Sequence, residues 1–358
     1  MASLSDALTF KSGAIMPNRF MLAPLTNLQS HSDGTLSDDE YRWLSKRAEG
    51  GFGLTMTCAS HVQAVGCGFP GQLGCFSDEH LEGLGRLAAA INAEGSVSVL
   101  QLHHAGMRSP EALIGEQPHC PSDNEKTGAR GLSHEEVLRL RDDFIAAAVR
   151  AQKAGFTGVE LHGAHGYVLA QFLSPTINLR DDEYGGSLEN RSRLLLEIID
   201  GVRERCGADF LLGVRLSAER FDIRLAEMRD LAQQLMREGN IDFLDMSLWD
   251  SFKEPEEEGF EGKTLLECFT ELDRGDVLLG TAGKIRSAED ARRCIEAGAD
   301  FAVVGRSAIL HHDFPRRVLS DPAFQPVSNP VTAEYLRKEG LGEAFIEYMA
   351  SWKGFVEA

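Results

Sequence analysis

Two imidazoles and a phenol stand within six residues in Val159-Glu160-Leu161-His162-Gly163-Ala164-His165-Gly166-Tyr167-Val168. The spacing H-x-x-H-x-Y offers two ring donors to an oxygen on which negative charge develops. Two residues on, it offers a hydroxyl able to give up a proton. Taken alone, the histidines have three readings: a hydrogen-bonding pair, metal ligands, or core residues. Tyr167 can also be a packed rim aromatic with a solvated hydroxyl. A metal site recruits a third ligand, and Glu160 is expected on the opposite face of its strand. No H-E-x-x-H helix occurs either. Hydrogen bonding is therefore preferred, and no metal is expected.

The segment opens as a short apolar, β-branched run, so these side chains fall where a strand should end. Five times a helical pattern closes at a glycine and an apolar strand follows: at Gly50, Gly95, Gly155, Gly239 and Gly298. Glycine just past a helix accepts the left-handed conformation that caps it. The runs that follow are nearly continuous in apolar residues, as strands of a parallel sheet covered on both faces must be. Eight strands are predicted, at 20–23, 54–57, 97–102, 158–161, 210–216, 243–247, 277–280 and 301–304. Helical patterns separate nearly all of them, and two begin at capping signals, Ser133-x-x-Glu136 and Ser287 with Glu289 and Asp290. Val137, Leu140, Phe144, Ala148 and Ala151 share one helix face.

Eight alternating units predict a (β/α)8 TIM barrel over about 18–312, with rim loops and a short C-terminal helical tail over about 313–358, all in one domain. An open doubly wound sheet is the alternative. It needs a G-x-G-x-x-G turn after its first strand, where this chain has Ala23-Pro24-Leu25-Thr26. In the barrel, chemistry gathers at the C-terminal ends of the strands. Residues 101–133 read as a lid or rim loop, 174–186 as a polar turn-rich connection, and the acidic 248–262 as a solvated loop. Short helices are expected at 333–338 and 343–353.

The formal charge of −19, from 36 basic and 55 acidic residues, argues against a nucleic acid or an anionic membrane as partner. No apolar run approaches the roughly 20 residues of a membrane span, and the N-terminus lacks the layout of a signal peptide. Seven scattered cysteines without a C-x-x-C pair predict reduced thiols, a cytoplasmic location, and no cysteine-bound cluster.

A second stretch, Ser174-Pro175-Thr176-Ile177-Asn178-Leu179-Arg180-Asp181-Asp182-Glu183-Tyr184-Gly185-Gly186-Ser187 followed by Asn190-Arg191-Ser192-Arg193, is long and unusual. Together with H-x-x-H-x-Y it resembles the old yellow enzyme family, the FMN-dependent ene-reductases, from Phe10 to about His311. The resemblance implies tightly bound, non-covalent FMN with NADH or NADPH as reductant, working by ping-pong on an activated alkene. It implies that His162 and His165 grip the substrate's carbonyl or nitro oxygen and that Tyr167 protonates the α-carbon. For FMN it implies the first-strand motif Ala23, Pro24, Leu25 and Thr26, the last with its hydroxyl near the flavin C4 carbonyl and N5. A branch of the family has cysteine at that position.

It also implies Ala59 against the ring, Gln101 and His162 at the pyrimidine edge, and Arg215 beside N1 and O2. A charge inside the apolar run Gly213-Val214-Arg215-Leu216 is otherwise costly unless paired. Gly283, Gly305 and Arg306 match the phosphate site, to which Lys284 is added for its charge. Two departures concern substrate range: Met107 stands where arginine is frequent, and Leu28 where tyrosine is common. Asn178, Arg180 and Asp182 are expected to hold their loop. Packing is preferred for Arg337 and Trp352 over reaching a neighbouring subunit, and a homo-oligomer is left open. Rival readings are an FMN-dependent desaturase, oxidase or demethylase-type enzyme, a dihydrouridine synthase, a flavin-binding protein without turnover, and a metal-dependent hydrolase.

Overall fold

The computed structural model describes residues 2–357. Eight parallel strands close into a barrel: β1 (Phe20–Leu22), β2 (Leu54–His61), β3 (Val97–His103), β4 (Gly158–Gly163), β5 (Leu211–Ser217), β6 (Phe243–Ser247), β7 (Leu278–Ala282) and β8 (Phe301–Val304). Each pairs with the next, and β8 returns to β1 through Ala302↔Phe20. The helices that follow them in turn are α1 (Asp38–Glu49), α2 (Leu81–Ala93), α3 (His134–Lys153), α4 (Leu188–Cys206), α5 (Leu225–Glu238), α6 (Glu267–Thr270), α7 (Ala288–Glu296) and α8 (Phe314–Ser320). This is the (β/α)8 barrel that the alternation predicts.

Alternation within each strand divides the core. Outward residues such as Leu100, Leu161, Val214 and Leu244 pack against the helices. Inward residues at the strand starts, among them Met21, Leu54, Val97, Leu211, Phe243 and Phe301, fill the barrel floor. There Phe10, from the N-terminal hairpin Leu8–Thr9/Ile15–Met16, packs tilted 5.7 Å from Phe243 and edge-on 6.5 Å from Phe301. Further along, the inward positions turn polar: Gln101, Glu160, His162, Arg215 and Asp245, all buried. The barrel is thus closed by hydrocarbon below and lined by ionisable groups above.

Both capping boxes form, at Ser133 and Ser287, and the five predicted face residues of α3 are all buried. β6 and β8 match the reading, and the other strand ends differ by one to four residues, most at β2, which runs on to His61. A ladder shift between Met56 and Ala59 admits its polar second half. The left-handed residue after α1 is Gly51 (φ 93°); Gly50 is still helical. The sequence passed over α8, and the second tail helix is Glu343–Ala350, shorter than expected. The acidic loop is not merely solvated, since Glu257 accepts the Leu225 N–H at the start of α5 at 2.7 Å.

The long family-like stretch acts as a brace, as expected. Asn178 Nδ2 donates to the carbonyls of Phe172 and Tyr184, both at 2.7 Å. Arg180 pairs with Asp182 and donates to the Pro121 carbonyl at 2.9 Å, tying this loop to the rim segment after β3. No described helix is long and apolar enough to cross a membrane.

Candidate active site

His162 lies on β4. His165 and Tyr167 follow in the turn that ends at a short helix, Val168–Leu173, for which Tyr167 is the N-terminal cap position. His165 has φ 59°, and its N–H donates to Ser217 Oγ at 3.0 Å, so the β5 end holds the turn in this uncommon conformation. The ring centroids of His162 and His165 are 5.0 Å apart, and Tyr167 lies 5.2 Å from His162 and 6.4 Å from His165. The three side chains converge as the spacing requires. A fourth ring joins them: His103, at the end of β3, lies 4.3 Å from Tyr167 and 5.5 Å from His162.

Burial, reinforced by neighbouring positive groups, pushes His162 and His103 well below the usual histidine range and His165 down to about 3. The imidazoles are therefore neutral and act as hydrogen-bonding groups. His165 Nε2 is 2.7 Å from Ser247 Oγ. Burial raises the Tyr167 phenol, opposed by the charge of Arg108.

Below the histidines, Glu160 points into the barrel, on the same face as His162. This corrects the expectation of opposite faces: residues two apart on a strand share a side. Gln101 Nε2 donates to Glu160 Oε1 at 2.7 Å. Arg215 Nε sits 3.3 Å from Asp245 Oδ2, and its Nη2 reaches Ser247 Oγ at 3.4 Å. Arg215 is thus paired within the protein and still keeps Nη1 buried without a hydrogen-bond partner, as His162 keeps Nδ1. One guanidinium faces two buried carboxyls.

Burial and Asp245 push Glu160 up to about 8, against the pull of Arg215 and Gln101. Burial raises Asp245 as well. The folded-state value of Glu160 lies above the ordinary 4.5, so the stability it contributes is full below about 4.5 and is lost as pH rises through about 8. Glu160→Gln removes this loss. In denaturant melts of the apoprotein, the variant should gain on the wild type between pH 5 and 8, by about 1.4 kcal/mol per pH unit at the steepest. A gap that stays constant with pH would show that Glu160 does not titrate there.

A cavity of about 300 Å³ opens beside this group. Its walls include Ala23, Pro24, Leu25, His165, Arg215, Ser247, Gly283, Lys284, Gly305 and Arg306, which gathers eight of the expected FMN residues. The first-strand motif is steadied from outside the barrel: Asn27 Nδ2 donates to the buried Glu40 of α1 at 3.1 Å. Thr26, Ala59, Gln101 and His162 do not line this cavity. Ala59 pairs with Gln101 on β2 and β3, and Thr26 follows Leu25 half-buried. Gly283 packs against Ser251, whose backbone nitrogen would lie 2.6 Å from an added Cβ. Lys284 Nζ is held by Asp250 at 2.8 Å.

Arg306 and Arg286, by contrast, form no ion pair among the described residues, and Arg306 is lowered by burial and then by Arg286. Arg286 and Trp249 were not anticipated. Trp352 packs against Tyr348 and Phe355 in the tail of this same chain, as expected, and also lines the cavity, with Arg306 5.5 Å from its ring. Arg337 is exposed and pairs with Glu343. A larger cavity of about 600 Å³ adjoins, sharing Arg286, Arg306 and Trp352.

Residues 4–323 match the model of the NADH:flavin oxidoreductase / NADH oxidase family. The probable NADH-dependent flavin oxidoreductase YqiG of Bacillus subtilis (strain 168) is 36% identical over 326 residues, 88% of this chain and 87% of that protein. The NADH:fumarate oxidoreductase of Klebsiella pneumoniae (strain 342) is 33% identical over 328 residues, 87% of this chain but only 35% of that protein. Among solved structures, the old yellow enzyme homologue from Zymomonas mobilis superposes with a TM-score of 0.82 at 27% identity, covering 97% of this chain and 99% of its own. The chain belongs to the old yellow enzyme family of NAD(P)H-dependent flavin oxidoreductases, whose cofactor is FMN.

Proposed function

We propose that this protein, as one FMN-binding unit over residues 1–358, is an ene-reductase for enones, enals, unsaturated imides or nitroalkenes. The observation that carries the reading is the convergence of two neutral imidazoles and one protonated phenol at the mouth of the barrel. The chemistry that FMN supplies when bound is a two-electron hydride relay from NAD(P)H to the β-carbon of an electron-poor C=C bond. The residues present fit it. Arg215 Nη1 and His162 Nδ1, buried without protein partners on paired strands, are suited to the acceptors of the pyrimidine edge, with Gln101 on the neighbouring strand β3. Gly283, Gly305, Arg306 and the unanticipated Arg286 line the cavity together and suit the phosphate, the two arginines through charge that no ion pair among the described residues engages. Lys284, held by Asp250, is the weaker member. Ala23, Pro24, Leu25, Thr26 and Ala59 are assigned to the ring.

In this reading His162 and His165 hold the substrate oxygen and stabilise the negative charge that builds there. Neutral imidazoles do so without first losing a proton. Tyr167 places its hydroxyl over the α-carbon and supplies the proton that completes the saturated product. A phenol protonates an enolate-like carbon readily, because the carbon acid formed is the weaker acid.

The test is an anaerobic absorbance titration of the purified protein, first with NADPH and NADH, then with 2-cyclohexenone. The expected result is a flavin band that bleaches with nicotinamide and returns with the enone. A band that bleaches and ignores activated alkenes but returns with oxygen would favour the oxidase reading.

A further inference from the structure

Arg108 has no part in the reading above, yet it is the charged group most closely applied to the proposed proton donor. It follows Met107, the position where the family resemblance led one to expect arginine, so the charge is displaced by one residue. Its guanidinium carbon lies 4.8 Å from the centre of the Tyr167 ring, and its Nη1 donates to the His165 carbonyl. Among the described residues it forms no ion pair.

The backbone beneath Arg108 is held in place, while its side chain is exposed to solvent. Arg108 ends a tight turn, Gly106–Arg108, in which Gly106 has φ 62° and an added Cβ would lie 2.3 Å from Gln171 Oε1. Gln171 is fully buried on the helix after Tyr167. It accepts the Met107 N–H at 3.1 Å and donates to the carbonyls of Gly166 at 2.8 Å and Ala105 at 3.2 Å. One amide therefore staples the β3 loop, which carries Arg108, to the β4 loop, which carries Tyr167.

The titratable and charged groups around the phenol come from every side: His103 from β3, His162 and His165 from β4 and its turn, Arg108 from the stapled turn, and Tyr348 from the tail helix. The histidines are neutral and Tyr348 is a second phenol, so Arg108 is the one cation in the group. When Tyr167 gives its proton to the α-carbon, the O–H electron pair stays on oxygen and a phenolate is left in a largely buried place. Solvent returns a proton later, and Arg108 loses none. An anion forming there is costly unless a fixed positive charge faces it.

We propose that Arg108 is a positioning residue for proton donation: its charge over the Tyr167 ring stabilises the phenolate and offsets part of the effect of burial on the donor's acidity. The proposal rests on the reading of Tyr167 as proton donor, and the test separates the two. It uses the FMN-loaded protein with 3,5-difluorotyrosine at position 167 only, whose fluorines bring the phenol's titration toward neutral pH and report it by ¹⁹F NMR. Arg108→Met should raise the titration midpoint by about 0.5 to 1 pH unit, because the charge removed is exposed and screened by solvent. Arg108→Lys should restore most of the difference. In single-turnover enone reduction with unlabelled protein, Arg108→Met should be slowed about two- to threefold and Arg108→Lys less. A midpoint unmoved in Arg108→Met overturns the proposal, however slow Tyr167→Phe is. A Tyr167→Phe variant that reduces the enone at the wild-type rate overturns the donor reading beneath it, whatever the NMR shows.

Discussion

His165→Ala is expected to lower kcat for enone reduction by about 10²- to 10³-fold, the usual cost of removing one donor from a charge-stabilising pair. Reduction of the flavin by NAD(P)H should be far less affected, because no oxyanion forms in that half-reaction. His165→Asn should fall between, since an amide keeps an N–H but sits on a shorter side chain. The pH dependence sharpens the expectation. Both histidines are held neutral, His165 down to about 3, so their donor capacity persists across neutral and mildly acidic pH. Stopped-flow measurement of flavin reoxidation by 2-cyclohexenone between pH 5 and 8 should therefore show no histidine inflection. An inflection near 6.5 that disappears in His165→Ala would mean that the charged imidazolium does the work, and the assignment of neutral donors would fall.

The barrel was legible because its physics is repetitive. Parallel strands covered on both sides are mostly apolar, and glycine-capped helices recur between them. The strand ends were less legible, and β2 shows why. Past Thr57 the run turns polar, Cys58-Ala59-Ser60-His61, which reads as a loop. The ladder shift at Met56 and Ala59 allows the strand to continue, with Cys58 Sγ donating to Glu40 Oε1 at 2.9 Å outside the barrel. Nothing in a local pattern announces a partner on another element.

The site divides in the same way. His162, His165, Tyr167 and Arg215 were legible as polar groups where an apolar strand should continue or end. Asp245 carries the same signal, between Phe243 and Ser247, and was passed over. Glu160 was seen but assigned to the wrong face, though its separation of two from His162 settles the matter. Arg108, Arg286, Trp249 and Trp352 reach the mouth from loops and the tail. Their approach depends on tertiary geometry such as the Gln171 staple, which no spacing encodes.

Tyr167→Phe separates the two halves of catalysis most cleanly. The substitution removes one oxygen and keeps the ring, so the edge contacts with His103 and His162 should survive. Loss of a positioned general acid costs about 10²- to 10⁴-fold. That loss should appear only in flavin reoxidation by an enone, with bleaching by NAD(P)H at the wild-type rate. The rival donors are few. His103 and His162 are neutral, and an imidazole N–H is a far weaker acid than a phenol. The phenol is raised above its ordinary value by burial, so it stays protonated through pH 8 and the wild-type reoxidation rate should not fall as pH rises to that point. A slow Tyr167→Phe whose rate is recovered by general-acid buffers would support the role. An unchanged reoxidation rate for several enones would remove Tyr167 from the chemistry and leave the two histidines as the whole of the reactive wall.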